Sequence, residues 1–96
     1  MSQHSTIIKK KRVVIGVDRP LRYVFATIYA PKGGLLRTFN QDQQWSADES
    51  GLLEAFHAVE MHFKGKPVIP ESMRKALKED IERLYKGLDI NYSKQH

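Results

Sequence analysis

Tyr23-Val24-Phe25-Ala26-Thr27-Ile28-Tyr29-Ala30-Pro31-Lys32-Gly33-Gly34-Leu35-Leu36-Arg37-Thr38-Phe39 is the stretch that decides the fold. In it Val24, Ala26 and Ile28 alternate with Tyr23, Phe25, Thr27 and Tyr29, so neither side is polar and the segment predicts a central strand. Pro31-Lys32-Gly33-Gly34 reads as a turn, because proline presets one turn dihedral and glycine tolerates the left-handed positions of tight hairpins. Leu35 to Phe39 then returns as the next strand. A connection this short joins antiparallel neighbours, since parallel strands need a crossover of about a dozen residues or more.

Toward the N-terminus, Ile7 to Val17 is rich in β-branched residues, and Val13, Ile15 and Val17 alternate with Arg12, Val14, Gly16 and Asp18 as in a half-buried strand. Residues 1–6 are polar and are expected to be disordered. Asp18-Arg19-Pro20-Leu21 supplies the turn into the central strand.

Toward the C-terminus the pattern changes at Asn40 to Trp45. Ser46-Ala47-Asp48-Glu49 matches a capping box with Ser46 as the cap. Leu52, Phe56, Val59 and Phe63 then recur on one helical face, widened by Leu53 and Ala55, and Gly65 offers a left-handed stop. Lys66 to Ile69 reads as a short extra edge strand. A second helix from about Pro70 to Lys86 carries Met73, Leu77, Ile81, Leu84 and Leu88, with Gly87 closing it and residues 91–96 frayed. The expectation is a single α+β domain over residues 7–90: a three-stranded antiparallel β-meander followed by two amphipathic helices packed on one face, βββαα.

The 96 residues suit one domain and not two. With no cysteine, disulfides and thiolate chemistry are excluded, and no apolar run approaches the ~18–20 residues of a membrane span. A cytoplasmic protein is expected.

Charge is segregated along the chain. Lys9, Lys10, Lys11, Arg12, Arg19, Arg22, Lys32 and Arg37 face only Asp18 in the first 37 residues, while Asp42, Asp48, Glu49, Glu54 and Glu60 lie in a stretch free of Lys and Arg. Clustered cations gain most from polyanions or from an acidic protein face. The eight basic residues are therefore the candidate binding site for a DNA or RNA backbone or an acidic partner surface. Tyr23, Phe25 and Tyr29 on the same sheet can stack on bases, but the area a ring buries favours placing them under the helices.

A second anion site is suggested by Lys66, Arg74 and Lys78, because Arg74, Lys75 and Lys78 sit in early turns of a helix, where the macrodipole disfavours cations. Pairing along the helix, Lys75 with Glu79 and Lys78 with Glu82, explains part of this and leaves Arg74 and Lys66 over. Helix-start electrostatics explains most of the acidic block. The opposite signs of the two blocks also permit homodimerisation.

No catalytic constellation emerges. His57 and His62 are five apart, not at the i, i+4 spacing of paired metal ligands, and no glycine-rich phosphate loop or nucleophile elbow is present. No metal, cofactor or catalytic residue is expected, and the chain is expected not to be an enzyme.

Val13-Val14-Ile15-Gly16-Val17-Asp18 resembles the first strand of ribonuclease-H-like folds, where such an aspartate binds metal. Arg19-Pro20 follows it in place of a glycine turn, and the chain is too short to supply the further carboxylates that two-metal chemistry needs, so nuclease activity is set aside. Over residues 13 to 72, the meander, the Asp48-Glu49 to Phe63 helix and Gly65-Lys66-Pro67-Val68-Ile69-Pro70-Glu71-Ser72 resemble the HicB antitoxin family. The proline and glycine pattern after the second strand departs from that family, and one helix stands where those antitoxins carry a DNA-binding module. The resemblance implies a toxin-neutralising partner. Two expectations follow: a small nucleic-acid-binding accessory or regulatory protein, or a protein-binding adaptor or inhibitor whose basic face docks on an acidic or nucleic-acid-binding groove.

Overall fold

A computed structural model describes residues 2–18, 22–39 and 45–94, with side chains described over 3–85 of these. The strands are β1 (Ser2–Ile8), β2 (Lys11–Asp18), β3 (Tyr23–Tyr29), β4 (Leu35–Thr38) and β5 (Trp45–Ser46), followed by helices α1 (Glu49–His62) and α2 (Glu71–Lys94). All pairings are antiparallel in the order β1-β2-β3-β4, and β5 joins the same edge of β3 as β4. This is the expected α+β arrangement with β3 central, enlarged by a strand at each end of the meander.

The added first strand corrects two expectations. Residues from Ser2 onward are not disordered but pair along β2, from Ser2↔Val17 to Ile8↔Lys11. The single strand read over Ile7 to Val17 is a hairpin that turns at Lys9-Lys10, both in the left-handed region at φ 50 and 68. Lysine is a poor turn residue, so the sequence hid this reversal; pairing the β2 backbone on both sides outweighs the local cost.

Val24, Ala26 and Ile28 are fully buried, and opposite them Val13, Ile15 and Val17 complete one apolar sheet face. Leu52, Ala55, Phe56, Val59 and Phe63 of α1 and Met73, Leu77, Ile81 and Leu84 of α2 close over it. Full burial of residues such as Ile15, Ile28, Leu52 and Leu77 contributes about 1.5–3 kcal/mol each. Leu53 does not widen that stripe; it is 58% exposed. Leu88 lies outside the described side chains.

The helix ends differ from the capping prediction. Ser46 pairs with Tyr23 in β5, and Asp48 is the N-cap of α1, accepting from Gly51 N at 2.8 Å and from the Ser46 hydroxyl at 2.8 Å. These two donors, with Ser50 N, hold the Asp48 carboxyl below its ordinary range. Gly65, at φ 76, donates to Glu60 O at 2.8 Å and stops α1 as expected. The Lys66 to Ile69 edge strand does not form, because Pro67 and Pro70 lack donors and Ile69 N turns to Glu60 Oε2 at 3.5 Å. Gly87 does not close α2, which runs on to Lys94 and takes in part of the tail expected to fray; a helical glycine costs about 1 kcal/mol and stops a helix only when it leaves helical conformation.

Two polar ties fix α2 to the rest. His4 Nε2 of β1 lies 2.6 Å from Asp80 Oδ2, a carboxylate only 6% exposed, and the Tyr85 hydroxyl donates to Ala47 O at 2.8 Å.

Candidate nucleic-acid interface

An antiparallel meander returns alternate turns to the same end of the sheet, so the β1–β2 turn at Lys9-Lys10 and the β3–β4 turn at Ala30–Gly34 share one end. The latter is closed by Gly33 N donating to Ala30 O at 2.9 Å and Ala30 N to Gly34 O at 2.7 Å, which leaves Lys32 exposed at its tip. The C-terminal end of α1 arrives there too: Lys11 Nζ is 5.6 Å from the Phe63 ring centroid. Lys64, next in the chain, is exposed and left-handed at φ 65.

Lys9, Lys10, Lys11, Arg12, Lys32, Arg37 and Lys64 therefore crowd one end. Among the described residues no ion pair engages any of them. Several guanidinium and ammonium groups instead lie over rings, Arg12 at 4.7 Å from Tyr29 and Arg37 at 4.6 Å from Phe39. Burial first, and then the charges of Lys11 and Arg37, push the His62 pKa down.

The sequence group of eight does not all meet here. Arg22, exposed at φ 54, sits at the opposite end of β3, and Arg19 lies outside the described residues. Lys64, which in the sequence groups with Lys66, Arg74, Lys75 and Lys78 as a second basic cluster, joins the N-terminal cations here instead, placed by the stop of α1 at Gly65.

The aromatic face proves to be the open one. Pairing places Arg12 with Tyr29, Val14 with Thr27, Gly16 with Phe25 and Asp18 with Tyr23 on the side away from the helices, with Gln3, Ser5 and Ile7 of β1 beside them. The expectation that Tyr23, Phe25 and Tyr29 pack under a helix is thus corrected: smaller Val24, Ala26 and Ile28 admit the close approach of α1, and the rings are left half-buried. Val14 is only 7% exposed although no helix covers it, so the surrounding long side chains lie across this face.

No family model, curated protein or solved structure matches the chain. What the site can do thus rests on its own geometry.

Lys66, Arg74 and Lys78 do not form a second anion site of free cations. Arg74 Nη2 bonds Glu60 Oε2 at 2.8 Å, its Nε reaches Ile69 O at 3.4 Å and its guanidinium stacks on Phe56, so it clamps the end of α1 to the start of α2. Lys78 lies 3.7 Å from Glu49. Lys66 remains exposed, two residues beyond Lys64. The strand likened to the first of a ribonuclease-H-like sheet is the second here, and among the described residues no group of three or more His, Asp or Glu gathers around a point. No described helix is long and apolar enough to cross a membrane.

Proposed function

We propose that this is a small non-enzymatic nucleic-acid-binding protein, an accessory or regulatory factor, whose basic sheet end contacts phosphates. One observation carries the reading. Among the described residues, the non-glycine residues at positive φ are Lys9, Lys10, Arg22 and Lys64, and all four are cations. Left-handed backbone costs such residues on the order of 1 kcal/mol relative to glycine and favours Asn or Gly. Lysine and arginine make up 16 of 96 residues, so chance would seldom fill every strained turn with them. Retaining charge at a conformational cost is the pattern expected where the charge meets a ligand. A chain without cysteine suits a reducing cytoplasm, where such a ligand is at hand.

Fluorescence anisotropy of a labelled oligonucleotide tests this. Affinity should fall steeply with salt, and changing Lys9 and Lys10 to Ala should make the log–log slope shallower by about 1.5. Absence of any binding at ~50 mM salt, with DNA and RNA alike, refutes it.

A second reading has its own support. Ile7 and Leu35 on the open face are 64% and 62% exposed, an apolar component that phosphates do not use and an acidic protein groove does. For an adaptor or inhibitor of that kind, capture of a partner should survive nuclease treatment of the lysate.

A further inference from the structure

We propose, resting on the nucleic-acid reading above, that the ligand is single-stranded and that its bases lie on the open sheet face against Tyr29, Phe25 and Tyr23. The three rings stand on one strand, on one side, at positions i, i+2 and i+6. A strand rise of about 3.4 Å per residue separates Tyr23 from Phe25 by about 7 Å and Phe25 from Tyr29 by about 14 Å. That row leads from the basic end at Lys9, Lys10 and Lys32 to Arg22 at the far end, so cations stand at both ends of a ring-lined track.

The neighbours of the row fit an unpaired strand. Gly16 lies directly across from Phe25 and Thr27 lies between Phe25 and Tyr29, so nothing bulky from those positions walls off the ring edges. Arg12, 4.7 Å from the Tyr29 ring, provides a guanidinium plane on which a base can stack and a charge for its phosphate. Asp18 is the one acidic residue in the five strands and stands at the end remote from the lysine turns. A duplex buries the flat faces of its bases in its own stack and offers this row only phosphates; an unpaired strand offers both.

The test uses the full chain with a fluorescein-labelled dT 12-mer, an rU 12-mer and a DNA duplex of the same length. Phe25→Leu and Tyr29→Leu remove rings while keeping apolar bulk, and their folding is checked by thermal unfolding. Expected is tighter binding of the single strands than of the duplex. Each Leu variant should weaken single-strand binding roughly tenfold while leaving the salt slope unchanged. In the unmodified protein, ring proton resonances of Tyr23, Phe25 and Tyr29 should shift on adding the dT 12-mer, while the indole of Trp45, buried on the helix side, stays in place. Equal affinity for duplex and single strand, with silent Leu variants and unmoved ring resonances, overturns the stacking inference. If Lys9→Ala/Lys10→Ala still weakens binding in that case, the phosphate reading stands without it. Failure of the unmodified protein to bind any of the three probes overturns both.

Discussion

The Lys9-Lys10 turn makes a prediction in which stability and binding move in opposite directions. Replacing Lys9 with Asn and Lys10 with Gly puts residues suited to left-handed backbone at φ 50 and 68. Relief of the left-handed conformation is worth about 1–2 kcal/mol per site, and part of it is offset by the larger unfolded-state entropy of glycine, about 0.4–1 kcal/mol. The pair should therefore stabilise the fold by about 1–3 kcal/mol, each kcal/mol raising Tm by about 4–8 °C for a domain of this size. The same change removes two cations from the basic end, so affinity for a single-stranded oligonucleotide at ~100 mM salt should drop by tenfold or more, with a shallower salt slope. Circular dichroism melts and anisotropy titrations on one preparation read both effects. A variant that melts lower than the parent refutes the argument from backbone conformation. A variant that melts higher yet binds as tightly refutes the role assigned to the two lysines.

Three other outcomes follow from the packing and the electrostatics. Gly51→Ala, which gains helix propensity, should nevertheless destabilise by about 1–3 kcal/mol in urea unfolding, because its Cβ would overlap the Ser46 carbonyl where β5 passes the first turn of α1. His4→Ala leaves the buried Asp80 carboxylate without its closest partner and should lower stability by about 1–3 kcal/mol in the same assay, loosening β1 from α2. Because the His62 pKa is depressed from its ordinary 6.5, its contribution to stability is complete above that value and declines as pH falls below it. NMR titration should show the depressed pKa in the free protein and a rise toward the ordinary value when an oligonucleotide neutralises the Lys11 and Arg37 charges.

What the sequence made legible was governed by local chemistry. The period-2 alternation of β3 and the Pro31 to Gly34 turn identified the meander, and the spacing of Leu52, Phe56, Val59 and Phe63 identified the buried face of α1. What stayed hidden depended on long-range fit. The hairpin at Lys9-Lys10 carries no turn residue, and β5 is two residues long. Which side of β3 the helices cover was not decided by ring area but by the room that Ala26 leaves for α1. The basic residues were visible as a run, yet only the meander brings Lys32 to that run and sends Arg22 to the other end, and only the docking of the helices adds Lys64 and lets Glu60 claim Arg74.

The most direct test of the account is the salt dependence of binding of a labelled dT 12-mer to the unmodified protein. Measurable affinity at ~50 mM salt that falls by at least tenfold by ~200 mM, and a slope made shallower by Lys9→Ala/Lys10→Ala, is the predicted result. No binding at ~50 mM, or binding indifferent to both salt and those lysines, would contradict it.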